Sequence, residues 1–160
     1  MKNTFQFLFL LAILSLASVR AEESNALRWR FELAPVTGSD DTAELSLIAD
    51  IDLHSLVYSS DFKSDIGPQP TAIDFSKSEG VEAVGPVVSI GPKRKKDKTW
   101  DIELGYFQTR AEFRQKVKIL RKHYIVRGTI AGQLCNEAEG TCTLFTQPFE
   151  VTAATSGIRK

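Results

Sequence analysis

Leu27-Arg28-Trp29-Arg30-Phe31-Glu32-Leu33 alternates apolar and charged residues at every step, and Ala43, Leu45, Leu47, Ala49 and Ile51 repeat the pattern further on. A period of two is what a strand requires when one of its faces is buried and the other is wet. Gly38-Ser39-Asp40-Asp41, between the two runs, is a turn cluster, so the runs read as neighbours in a hairpin. Further strand candidates span residues 57–59, 71–75, 81–84, 87–90, 124–133 and 149–153, punctuated by Gly67-Pro68, Gly80, Gly85-Pro86 and Gly91-Pro92. Short strands separated by such turns predict an all-β fold, a sandwich or a barrel, in which two amphipathic sheets bury their apolar faces together.

Residues 113–124 fit two templates. Phe113, Val117, Leu120 and Tyr124 follow helical spacing, whereas Phe113, Val117 and Ile119 follow a strand whose apolar face is interrupted by Gln115. Periodicity leaves both readings open. The flanking turn signals favour a strand, paired as a hairpin with residues 124–133.

The whole chain has 160 residues, 42% hydrophobic, 25% charged and 9% aromatic, which excludes disordered, collagenous and coiled-coil classes. Lys2 followed by the apolar run Phe5 to Ala17 is too short for a bilayer span of ~20 residues but suits a signal-peptide core. With Val19-Arg20-Ala21 as the cleavage site, residues 1–21 are expected to be removed and residues 22–160 to form one exported domain, periplasmic or secreted, with no membrane segment left. The mature part carries 18 basic and 20 acidic residues, a balance that gives no field to attract nucleic acid.

Export matters because the chain holds two cysteines, Cys135 and Cys142, and disulfides persist outside the cytosol. They enclose Asn136-Glu137-Ala138-Glu139-Gly140-Thr141, a hairpin-tip composition with one glycine able to take positive φ. If the flanking segments pair as antiparallel strands, the sulfurs can approach bonding distance. Two uses then stand open. A loop of about eight residues stabilises by ~2.5 kcal/mol as a brace, against ~4.7 for a hundred-residue loop. A tight, exposed pair is instead suited to being made and broken. Glu137 and Glu139 oppose thiolate formation, so the attacking thiolate is expected to come from a partner.

Ile51-Asp52-Leu53-His54-Ser55-Leu56-Val57-Tyr58-Ser59, Gly67-Pro68-Gln69-Pro70-Thr71, Phe113-Arg114-Gln115-Lys116-Val117, Val126-Arg127-Gly128-Thr129 and the pair Cys135 and Cys142 follow one another in this order. This order resembles the N-terminal domain of the thiol:disulfide interchange protein DsbD, the disulfide-bond corrector family, from about Leu27 to Val151. The resemblance implies an immunoglobulin-like periplasmic sandwich whose cysteines take electrons from a thioredoxin-like partner and pass them to oxidised exported proteins. It implies that Cys142 forms the mixed disulfide and Cys135 resolves it. Trp100, Asp101, Ile102, Glu103 and Leu104 match the cap that, by this resemblance, shields Cys142 until a partner docks. The chain departs from the family in having Thr143-Leu144-Phe145 where prolines are usual, and in a longer loop between the cysteines. The alternative is a non-catalytic binding module whose disulfide is a brace.

Other signals are weaker. Lys93-Arg94-Lys95-Lys96-Asp97-Lys98 could guide docking to an acidic partner or touch a phosphate backbone, but a solvated loop is the favoured reading, and without interleaved aromatics it offers no stacking platform for nucleic acid. His54 and His123 share no ligand spacing with the cysteines, so neither a metal nor a cofactor is expected. Asp101 and Glu103 could be paired carboxylates, but a solvent-facing strand edge explains them equally well.

Overall fold

The computed structural model describes residues 26–63 and 65–152. The leader reading of residues 1–21 lies outside the described residues. Among them are ten strands and no helix: β1 (Leu27–Pro35), β2 (Thr42–Ile51), β3 (Ser55–Tyr58), β4 (Ala72–Asp74), β5 (Val81–Ser89), β6 (Lys93–Asp97), β7 (Ile102–Gln108), β8 (Arg110–Ile119), β9 (Ile125–Asn136) and β10 (Thr141–Thr152). They form two antiparallel sheets. One runs β1-β2-β8-β5, and the other runs β10-β9-β3-β7-β6, with β4 also pairing to β9.

The alternating runs at the start of the chain pair as their pattern demands, Leu27 facing Ile51 and Pro35 facing Ala43. Their even-spaced apolar side chains point inward, so Leu33, Ala43, Leu45, Leu47, Ala49 and Ile51 join Val57, Phe107, Val126, Ile130, Phe149 and Val151 from the other sheet in one core. Aromatic rings span the gap between the sheets. Phe113 meets Phe107 edge-on at 5.4 Å, and Phe31 meets Phe149 at 5.4 Å.

Residues 113–119 belong to a strand, but its partners are not those expected. β8 pairs with β2 and β5, and the segment that follows crosses to the other sheet as β9, so no β8–β9 hairpin forms. Gln115 points into the core, where it is only 2% exposed. Its amide donates to the carbonyls of Val84 at 3.0 Å and Lys116 at 2.8 Å, with the Gly85 carbonyl at 3.2 Å. Residues 81–84 and 87–90, expected as two strands, are one strand whose register shifts between Val84 and Val88. Gly85-Pro86 sits in that irregularity, where proline lacks a ladder donor, and the Gln115 amide bonds the carbonyls beside it. A polar residue at an inward position is therefore part of the sandwich, not an interruption of it.

The basic run, expected as a solvated loop, contains β6, the outermost strand of the larger sheet, paired with β7 from Lys93–Tyr106 to Asp97–Ile102. Charged side chains on an edge strand deter pairing with other chains.

Candidate functional site

β9 and β10 pair along their whole length, and the register sets Cys135 directly opposite Cys142. They are disulfide-bonded, with Cα atoms 4.0 Å apart. Asn136 shapes the tip beyond them, its side-chain oxygen accepting from the amides of Ala138 and Glu139, and Gly140 takes φ +67°.

The two cysteines differ in their surroundings. β10 is an edge strand, whereas β9 is flanked on its other side by β3, where Leu56 faces Cys135. Directly opposed residues point to the same face of a sheet, as do residues two apart along a strand. Cys135 therefore shares the outer face of the larger sheet with Leu56 and Tyr58 of β3 and Leu104 and Tyr106 of β7. Leu56, Tyr58, Leu104 and Cys135 form a second buried cluster, with Ile102, Tyr106 and Phe62 packed against it. Cys135 is 6% exposed; Cys142 is exposed.

The Tyr58 hydroxyl lies 3.9 Å from Cys135 Sγ, and because a disulfide sulfur carries no proton, the hydroxyl is the donor. Burial raises the Tyr58 pKa, and the carboxylates of Asp97 and Glu137 raise it further, so the proton stays on the ring oxygen.

The segment after β3 packs against the cluster that holds the buried cysteine. Phe62, in the segment after β3, packs edge-on against Tyr58 at 6.0 Å, and the Gln69 amide donates to Gln133 of β9 at 2.8 Å. Asp61 accepts from Ser59 and pairs with Arg94, tying the start of this loop to β6. Of the five residues read as a cap, Leu104 is a full member of the cluster and Ile102 packs against it. Trp100 lies against Gly67 instead, where an added Cβ would come within 2.9 Å of its indole and where φ is +93°. Asp101 pairs with Lys96 at 2.7 Å, and Glu103 is exposed opposite Lys96. Sequence reasoning assigned no role to Phe62; its signal is a lone aromatic among polar loop residues.

His54 sits at the turn before β3 with φ +64°, its carbonyl accepting from the Glu137 amide at 2.7 Å. His123 lies far from it, just before β9. No helix among the described residues is long and apolar enough to cross a membrane.

Fold and site together define a two-sheet β-sandwich with a cross-strand disulfide at a hairpin tip, one sulfur buried and the other exposed. The architecture is similar to that of the N-terminal periplasmic domain of ScsB from Proteus mirabilis, at 10% identity and a TM-score of 0.55 over 86% of this chain and 51% of that one. This chain thus spans about half of that ScsB structure. The N-terminal domain of DsbD from Neisseria meningitidis, in its reduced form, matches at 16% identity and a TM-score of 0.47 over 78% of this chain and 85% of that one. No protein-family profile and no curated sequence matches the chain. At these identities the likeness is one of fold.

Proposed function

We propose that the protein is an exported thiol:disulfide exchange domain that carries electrons from a thioredoxin-like donor to oxidised exported proteins through Cys135 and Cys142. The observation that carries this reading is the asymmetry of the disulfide: the exposed Cys142 sulfur can be reached by an incoming thiolate, while the Cys135 sulfur lies within an apolar cluster beside a hydroxyl. The resemblance to the disulfide-bond corrector family and the periplasmic setting of the ScsB domain support it.

In the first half-reaction a donor thiolate attacks Cys142 Sγ, the Cys135–Cys142 bond breaks, and Cys135 leaves as a thiolate that Tyr58 hydrogen-bonds before it takes up a proton. A second donor thiol then displaces Cys142, and the donor leaves as a disulfide, having given up two electrons and two protons. In the second half-reaction the Cys142 thiolate attacks a substrate disulfide and expels one substrate thiolate, and the Cys135 thiolate then attacks Cys142 Sγ, re-forming the Cys135–Cys142 bond and expelling the second, so that the substrate leaves as a dithiol once both thiolates take up protons. The loop bearing Phe62, together with Ile102 and Leu104, limits access to Cys135 in both halves.

The alternative is a structural brace in a binding module, favoured by the burial of Cys135. Measuring the reduction potential separates the two, since exchange pairs lie between about −120 and −270 mV and structural bridges below about −300 mV. Trapping adds a second readout: a Cys135→Ala variant incubated with periplasmic extract is expected to retain partners through Cys142. A potential below about −300 mV with an empty trap would overturn the exchange reading.

A further inference from the structure

The basic strand β6 is left unexplained by the exchange chemistry. Two of its cations have in-chain partners: Arg94 pairs with Asp61, and Lys96 pairs with Asp101. Among the described residues, Lys93 and Lys95 stand in no ion pair. Both belong to the outer face that carries the cysteines, because they oppose Tyr106 and Leu104 in the ladder. Their ammonium groups are held over that face. Lys95 Nζ lies 5.0 Å from the centre of the Tyr106 ring, and Lys93 Nζ donates to Gln108 Oε1 at 2.8 Å. Gln108 in turn donates to Glu137 in the cysteine hairpin at 2.6 Å. The Asp97 carboxylate, on the same strand, is occupied by the amides of Thr99 and Trp100. Lysines that only protected the strand edge would have no need of partners on the sheet face.

We propose that Lys93 and Lys95 form the far end of a docking face for a redox partner that bears acidic residues at a distance from its reactive cysteine. Four strand-to-strand steps of ~4.8 Å separate β10 from β6, so the acidic group would sit about 20 Å from the sulfur that attacks Cys142. Cations held against aromatic and amide groups favour carboxylates and raise the rate of encounter with them. The inference rests on the exchange reading above.

The test uses three reduced peptides, each with Cys-Gly-Pro-Cys, a neutral spacer of about six residues to cover that distance, and a run of Glu, Gln or Lys at the end. Each peptide dithiol becomes a disulfide as Cys135 and Cys142 become thiols, and alkylation with mass spectrometry reads the rate relative to dithiothreitol on the same protein. At low ionic strength the Glu peptide is expected to react about tenfold faster than the Gln peptide, and the Lys peptide more slowly than both. The advantage should vanish in the Lys93→Gln/Lys95→Gln double variant and in about 0.5 M salt. Equal rates for the three peptides, or a Glu advantage that survives the double variant, would overturn the proposal. If even dithiothreitol leaves the native disulfide intact, it is the exchange reading that fails. The docking face is then tested with the Glu peptide carrying Ser in place of Cys, followed by fluorescence of Trp100 beside β6: binding lost in the double variant supports it, and no binding overturns it.

Discussion

The outer faces of the two sheets have opposite characters. On the four-stranded sheet, Arg28 pairs with Asp52, Arg30 with Asp50, and Arg114 with both Glu44 and Glu112, a lattice of exposed and half-buried charges. On the larger sheet, Leu56, Tyr58, Leu104 and Cys135 are withdrawn from water although, among the described residues, no third sheet lies behind them. An apolar outer face has to be covered by whatever the connections provide, and connections move more readily than strands. The disulfide sits on that apolar outer face, apart from the main core between the sheets.

The contrast can be broken at several points, beginning with the largest effect. Phe113, fully buried between the sheets, should cost about 3–5 kcal/mol when changed to Ala, read by urea unfolding. Leu104→Ala empties part of the outer cluster and should cost about 2–3 kcal/mol. Unlike Phe113→Ala, it should also speed reaction of the disulfide with a small dithiol under native conditions. If both variants leave that rate alike, the outer cluster is not a cover. Reducing the disulfide, or replacing both cysteines by Ala, should lower stability by ~2.5 kcal/mol, the value for so short a loop.

Smaller effects sharpen the same comparison. On the wet face, hydrogen bonds from Arg114 and then Arg110 hold the Glu112 carboxyl below its ordinary pKa. Its contribution is thus complete above the usual glutamate range and is lost as pH falls through the lowered value in the folded protein. Glu112→Gln should cost less than about 1 kcal/mol at neutral pH and should flatten that part of the stability profile under acid. Tyr58→Phe should change stability little while slowing reduction severalfold, because the departing Cys135 thiolate loses its donor. A rate unchanged by this variant would remove Tyr58 from the exchange.

Strands with one wet face were the easiest to read. The period of two in β1 and β2 holds because the charged lattice and the core lie on opposite sides of the same residues. β6 gave no such signal, since an edge strand of lysines has little apolar surface to alternate. Gln115 blurred β8 because what satisfies it, the bulge at Gly85-Pro86 on a neighbouring strand, is distant in sequence. The cysteine pair was legible from spacing and turn composition. Which sulfur is buried was not, because that depends on Leu56, Tyr58 and Leu104, brought from two other strands by a strand order that local pattern does not encode.

The ladder joining β9 to β10 runs for twelve residue pairs, from Thr141–Asn136 to Thr152–Ile125, with the sulfurs one pair from its end. Cleaving the covalent link therefore frees nothing that eleven other pairs do not continue to hold. Two thiols formed there would remain neighbours at a high effective concentration, so re-forming their bond would be a local closure needing no search by the chain.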